Sequence, residues 1–255
     1  MPNFEKYKAI VRELLDDKAG CEWIKQKSIQ DIGAYTLEET YELLAALESG
    51  NFSEIRDELA DLCFHLLLYA EMAERQGEFN LSDVIDVAIR KQAERREPTE
   101  LLSSADEAHQ RWQERKYAKQ LAEGTTQGLL DDIPKNMPAL LRSKKIQDKT
   151  EQVGFDWTDP RQVIDKLKEE IAEFELELDR EDQTALMDEL GDILFTAVNI
   201  GRHINVDPEL ALRHANDKFI TRFRRVEQQS KTLEKPLHEM SFDALLDLWE
   251  KAKKG

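Results

Sequence analysis

One acidic pattern occurs twice in this chain, and the repetition limits the possible folds more than any other feature. The first copy reads Glu38-Glu39-Thr-Tyr-Glu42 followed by Glu58-Leu-Ala-Asp61; the second reads Glu169-Glu170-Ile-Ala-Glu173 followed by Glu189-Leu-Gly-Asp192. Each acidic position of the first copy recurs 131 residues later, and Asp57, Leu59 and Phe64 keep that offset to Asp188, Leu190 and Phe195. Upstream, Gly20-Cys-Glu-Trp23 resembles Gly154-Phe-Asp-Trp157 with a small change of spacing. The chain therefore reads as a duplicated module, and its 255 residues suffice for two modest domains.

Apolar residues recur at steps of three and four through 4–16, 37–48, 54–76, 83–96, 104–121, 138–149, 161–179, 184–204, 208–229 and 242–252. Sustained strand alternation is absent, so the expected fold is all-α: two tandem helical-bundle domains, 1–123 and 138–255, joined by a linker over 124–137. Helix starts are expected at Thr36 with Glu39, Ser53, Ser104 with Glu107, Asp159, Asp207 and Ser241, where short polar side chains can bond free backbone N–H groups. Gly77, Gly124, Gly128 and Gly154 punctuate ends and loops. Over 184–203 a helical wheel gives a core stripe of Leu186, Leu190, Ile193, Leu194 and Ala197, beside a polar stripe of Glu189, Asp192, Thr196, Asn199 and His203. Helical hairpins with apolar residues on more than one face need further helices to cover them, which predicts a homodimer.

The formal net charge of −17 repels nucleic-acid phosphate and anionic membrane surfaces, leaving a metal-bound small anion as the natural charged ligand. Polynucleotide and membrane partners are not expected. Cys21 and Cys63 cannot form a disulfide framework, the N-terminus lacks the apolar core of a signal peptide, and no stretch is apolar enough to span a bilayer. These features read as a cytoplasmic protein.

On a helix, residues three apart point the same way, so Glu170 with Glu173 and Glu189 with Asp192 form two pairs. The short separation of the pairs allows a hairpin that gathers all four carboxylates. Clustered anions repel one another unless a cation intervenes. Carboxylate oxygens without sulfur or imidazole suit Mg²⁺, or Mn²⁺, and none of the five histidines has the Glu three residues earlier that a di-iron bundle would use. Mg²⁺ commonly binds through carboxylates together with substrate phosphates, which implies a phosphorylated ligand. A lone Glu-x-x-Glu is an ordinary solvated face; it is the repeated pair of pairs that sets this chain apart. On 208–229, Lys218, Arg222 and Arg225 share one face and can donate to phosphate oxygens, while Phe219, Phe223 and Val226 fill another. In the first half Lys91 and Arg95 repeat the spacing, diluted by Glu94 and Glu97, and Leu68 stands where the second half has Asn199. Trp23 and Trp157 precede the carboxylate helices and could stack on a base. His109 and His214 read as surface or packing residues.

Together these motifs resemble the MazG nucleotide pyrophosphohydrolases, relatives of dimeric dUTP and phosphoribosyl-ATP pyrophosphatases, with their Glu-Glu-x-x-Glu and Glu-x-x-Asp signature. The likeness extends through Tyr35–Glu42, Val153–Trp157, Val198–His203 and Ala215–Phe223. It implies tandem MazG-like domains, dimers that complete intertwined bundles, and Mg²⁺-dependent hydrolysis of a nucleoside triphosphate to monophosphate and pyrophosphate, as nucleotide-pool house-cleaning. It further implies metal ligation by Glu170, Glu173, Glu189 and Asp192 and phosphate contacts by Lys218 and Arg222. On chemical grounds a free carboxylate, Glu169 or Glu173, is expected as base, with Lys218 and Arg222 stabilising the leaving pyrophosphate, and Trp157, Lys166, Asn199 and Arg225 are the further expected substrate contacts. The first repeat departs from the family pattern after Lys91, where Glu97-Pro-Thr-Glu-Leu replaces a His-Pro-His-Val-Phe-like stretch, and near Cys21, where Glu22-Trp-Ile replaces a Pro-Trp-Asp-like run. The expectation is a second metal site at Glu39, Glu42, Glu58 and Asp61, with most or all turnover in the C-terminal repeat. The rival reading is a non-catalytic helical scaffold or nucleotide sensor.

Overall fold

The computed structural model describes residues 2–96, 111, 115, 117, 118 and 128–254. Among them every regular element is helical. The helix expected over 104–121 lies almost wholly outside the described residues, together with Ser104, Glu107, His109, Glu97 and Gly124; of Arg95 only the backbone is described. The chain divides into two compact units, Met1–Leu102 and Ser103–Gly255.

The first unit contains α1 (Pro2–Leu14), α2 (Glu22–Lys25), α3 (Ile32–Ser49), α4 (Phe52–Arg75) and α5 (Leu81–Arg96). Helices α3 and α4 make a tight hairpin. Gly50 closes α3 in the left-handed region at φ 69°, where a side chain would be strained, and the Asn51 side chain accepts from the Ser53 N–H to open α4. Val11, Leu15, Ile24, Ile32, Leu67, Leu68 and Met72 form the core between α1, α2, α3 and α4. Polar ties reinforce it: Glu71 takes Arg12 from α1 and Arg75 from its own helix, and the hydroxyls of Thr36 and Tyr69 meet at 2.8 Å. Both cysteines are free thiols, half-buried at the edge of this core.

Two expected helix starts are corrected here. α3 begins at Ile32, not Thr36, and the Thr36 hydroxyl donates back to the Ile32 carbonyl inside the helix. Ile32 is buried in the core, so burying that side chain extends the helix one turn beyond the polar signal. At the next helix Asn51, not Ser53, is the cap.

The second unit contains α6 (Ala139–Glu151), α7 (Pro160–Arg180), α8 (Gln183–His203), α9 (Pro208–Thr232) and α10 (Phe242–Ala252). Here the expected caps are found. Asp159 and Gln162 form a capping box on α7, Asp207 caps α9 and Ser241 caps α10, while Asp182 caps α8 by accepting from Thr184 and Ala185. The α7–α8 hairpin repeats α3–α4. Residues 128–137, the described part of the expected link, are docked on α6: the buried Lys149 pairs with Asp132 and donates to the Leu129 carbonyl, and Ile133 is buried.

The core stripe expected on α8 faces the other way. Thr196, Val198 and Asn199 are buried, whereas Leu190 and Leu194 are 48% and 50% exposed. Of the polar stripe, Thr196 and Asn199 turn inward, Asn199 accepting from Arg202, while Asp192 stays exposed; Gln147 of α6 donates to the backbone carbonyl of the neighbouring Phe195. Of the apolar stripe, Leu190, Leu194 and Ala197 are left on the surface of the single chain, and Leu186 and Ile193 are half-buried.

Candidate metal centre

The acidic pairs of the second repeat meet because the four-residue spacing from Lys166 to Glu170 and the three-residue step to Glu173 lie on the side of α7 that faces α8. One carboxylate oxygen from each of Glu170, Glu173 and Glu189 comes within 4.8 Å of the other two. Glu170 is buried, Glu189 half-buried and Glu173 exposed, so the group opens to solvent on one side. Asp192, the fourth expected ligand, is not in this convergent group. It lies close enough to Glu189 to act on its charge: burial first, then Glu173, Glu170 and Asp192, push the Glu189 carboxyl above its ordinary value. Glu189 Oε2 is shielded from solvent and has no hydrogen-bond partner. A buried anionic oxygen without a donor is costly, and a hard divalent cation satisfies it, so the residues fit Mg²⁺.

Lys166 occupies the edge of this group. Its ammonium stands 2.6 Å from Glu169 and 2.9 Å from Glu170, and the hydrogen bonds to these two carboxylates raise its pKa. The residue expected on substrate is thus the cluster's own counter-charge. Glu169 lies outside the converging three, exposed, with Lys166 as its partner.

In the first repeat Glu39, Glu58 and Asp61 converge within the same 4.8 Å, while Glu42 stays outside the group but near enough to raise the pKa of Glu58. Burial, followed by the neighbouring carboxylates, also raises Glu39. Among the described residues no cation pairs with Glu39, Glu58 or Asp61. Tyr35 stands where the second repeat has Lys166; its ring meets Trp23 edge-on at 5.1 Å, and the Lys27 ammonium lies over both rings. One turn beyond Asp61, buried His65 has an unpartnered Nδ1, and burial keeps its pKa low against the pull of Asp61.

The remaining expected residues are spread around the second unit. Lys218 is exposed and Arg222 half-buried, and neither has an ion-pair partner among the described residues. Arg225 instead donates to the Ala252 carbonyl at 3.0 Å, tying α9 to the end of α10. Asn199 is buried, and its carbonyl oxygen accepts from Arg202. Trp157 is 44% exposed. The preceding residue, Asp156, pairs with Arg202 and lies 3.3 Å from His203, while Arg202 also reaches Glu151. Sequence reasoning missed this Asp156–Arg202 anchor. The recurrence of an acid before each tryptophan, Glu22 and Asp156, was the available signal, but its partner lies 46 residues away. Trp249, also missed, packs on Phe219 at 4.9 Å.

A duplicated helical hairpin with three converging carboxylates in each copy defines the class: an all-α protein with paired acidic clusters. The MazG nucleotide pyrophosphohydrolase domain is matched twice, over residues 27–99 and 158–227, each match spanning one hairpin. The chain belongs to the MazG family. It is 37% identical to the nucleoside triphosphate pyrophosphohydrolase of Escherichia coli strain K12, across all of this chain and 98% of that protein. It is 33% identical to the nucleoside triphosphate pyrophosphohydrolase/pyrophosphatase MazG of Thermotoga maritima, covering 99% of this chain and 96% of that one. The similarity to the uncharacterized protein YabN of Bacillus subtilis is 35%, over 98% of this chain and 51% of YabN.

Proposed function

We propose that this chain hydrolyses nucleoside triphosphates to nucleoside monophosphate and pyrophosphate, with Mg²⁺ or Mn²⁺ held in the C-terminal repeat, as nucleotide-pool house-cleaning in the cytoplasm. The observation that carries this reading is the convergence of Glu170, Glu173 and Glu189 around a solvent-shielded, unpartnered Glu189 oxygen. The full-length similarity to two proteins named nucleoside triphosphate pyrophosphohydrolases supports the reaction. The net charge of −17 and the absence, among the described residues, of a helix able to cross a membrane agree with a small anionic substrate rather than polynucleotide or lipid.

Glu170, Glu173 and Glu189 would hold the ion, with Asp192, outside the converging three and one turn beyond Glu189, as the fourth proposed ligand. A bound divalent ion supplies charge neutralisation for the phosphates and a water of lowered pKa. The chain's own groups do the rest. Glu169, outside the ligand group, takes the proton of the attacking water; Glu173 is the alternative base. As the bond between the α phosphorus and the bridging oxygen breaks, the electron pair leaves with pyrophosphate, and the unpaired Lys218 and Arg222 stabilise that charge. Trp157, held by the Asp156–Arg202 anchor, offers a face to the base, and Asn199 and Arg225 brace the surrounding helices while touching substrate with their remaining groups.

The domains follow the repeats, 1–123 and 138–255, with 124–137 between them. A homodimer covers the apolar stripe of Leu190 and Leu194 on α8, along with Ile171 and Leu178 on α7. The test of the reaction is a panel of ribo- and deoxyribonucleoside triphosphates incubated with Mg²⁺. Monophosphate and pyrophosphate in equal amounts are expected; nucleotide binding without either product would establish the non-catalytic sensor instead.

A further inference from the structure

We infer that Lys166 is a displaceable internal cation that makes metal binding at the second cluster depend on the triphosphate, whereas the first cluster, which has no such cation among the described residues, takes a divalent ion by itself. The inference rests on reading both clusters as metal sites and adds how they are regulated.

The two clusters are alike in their acids and different in their counter-charge. Each brings three carboxylates within 4.8 Å. In the second, the Lys166 ammonium bonds Glu170, a member of the converging three, at 2.9 Å and the adjacent Glu169 at 2.6 Å. A cation entering that group competes with a charge already in place, because an ammonium at hydrogen-bond distance lowers the attraction of the carboxylates for a second positive charge. The Lys166 side chain is one-third exposed and sits on a flexible four-carbon stem, so it can turn outward without unpacking the buried Glu170. Turned outward it still needs an anion, and the incoming triphosphate provides one. Metal and nucleotide then favour each other: the phosphate takes the ammonium away from Glu170, and the freed carboxylate takes the metal. Glu189 Oε2, buried without a donor, is the oxygen that Lys166 leaves unsatisfied and the metal completes.

At the matching position of the first cluster stands Tyr35, whose ring is engaged with Trp23, and the Lys27 ammonium lies over the two aromatic faces. Glu39, Glu58 and Asp61 keep their mutual repulsion unrelieved, and a divalent ion relieves it with nothing to displace. Buried His65, with Nδ1 unpartnered one turn beyond Asp61, adds an unsatisfied polar group beside this cluster.

The experiment is a Mn²⁺ titration of the full chain, read by the paramagnetic signal of the free ion. Glu58→Gln with Asp61→Asn silences the first cluster, and an α,β-imido nucleoside triphosphate serves as the uncleaved ligand. With Lys166 intact, the analogue should tighten Mn²⁺ binding at the second cluster by about tenfold or more, within the usual span of site-to-site coupling. Lys166→Met should tighten nucleotide-free Mn²⁺ binding several-fold and abolish most of that gain, while Lys166→Arg, which keeps the charge, should behave as the parent. In the reciprocal arm, with Glu189→Gln and Asp192→Asn, Tyr35→Lys should weaken nucleotide-free Mn²⁺ binding at the first cluster and Tyr35→Phe should not. Unchanged or weaker nucleotide-free binding in a folded Lys166→Met variant overturns the inference and leaves the metal sites standing. If Lys166→Met does not fold, the Tyr35→Lys arm decides. No Mn²⁺ bound at either cluster overturns the metal-site reading itself.

Discussion

Asp156 and Arg202 show how a pair of residues can fix a loop that the helices alone would leave loose. Burial by itself would raise the Asp156 carboxyl, but the Arg202 hydrogen bond and charge outweigh it and hold the group below its ordinary 3.8. A depressed folded pKa means stability that is present above the unfolded value and is lost as pH falls through the folded one. Asp156→Asn is therefore expected to cost about 1.5 kcal/mol at neutral pH, since Arg202 loses a charged hydrogen-bond partner but keeps Glu151 and Asn199. Thermal melts should show the gap between the two proteins closing below about pH 4, as the native carboxyl is protonated. At Glu189 the sign is opposite. Its pKa is raised, so Glu189→Gln removes a repulsive anion: hydrolysis should be almost abolished while the metal-free protein melts no lower than its parent. A melting point clearly below the parent's would show that Glu189 supports the fold rather than the site.

At the scale of the element, the α7–α8 hairpin was legible because both its signals are local. The Asp-Pro start, the Glu-x-x-Glu step and the apolar period lie within a few turns, and the helix that forms is the one those signals describe. The start of α3 was misread because Thr36 and Glu39 have capping-box spacing, yet burial of Ile32 in the core decides where the helix begins. The inner face of α8 was misread for a related reason: a wheel counts apolar residues on one helix, whereas partners outside that count, such as Arg202 for the buried Asn199, let polar residues turn inward. Lys166 was legible as a functional cation, and its three- and four-residue steps to Glu169 and Glu170 were the available signal of the pairing that the structure shows. The cap of α8 offers a direct check on the hairpin. Asp182→Ala removes an acceptor from two backbone N–H groups and should lower stability by about 1 kcal/mol, measured by urea denaturation, with little change in the slope of the transition.

For the whole molecule, the apolar residues left on the surface have the strongest consequence. Leu190 and Leu194 on α8 and Leu37 and Leu59 on α3 and α4 are each about half exposed, and Leu59 and Leu190 are equivalent positions of the two repeats. A dimer is expected at micromolar concentration by sedimentation, and Leu190→Glu with Leu194→Glu should shift it towards monomer; an active monomer in the parent protein would contradict this part of the account. The duplication also set up an inequality that later differences sharpened. Both repeats keep three converging carboxylates, but among the described residues only the second has a lysine paired with them, Lys166. The most direct measurement compares two double variants, Glu58→Gln with Asp61→Asn and Glu189→Gln with Asp192→Asn, by kcat/KM on one nucleoside triphosphate with Mg²⁺. The second pair is expected to lose at least about a thousandfold, in line with removal of a group on which the transition state depends, and the first pair only a few-fold. A larger loss from the first pair, with helicity and assembly unchanged in both, would place the chemistry in the wrong half of the molecule and contradict the account.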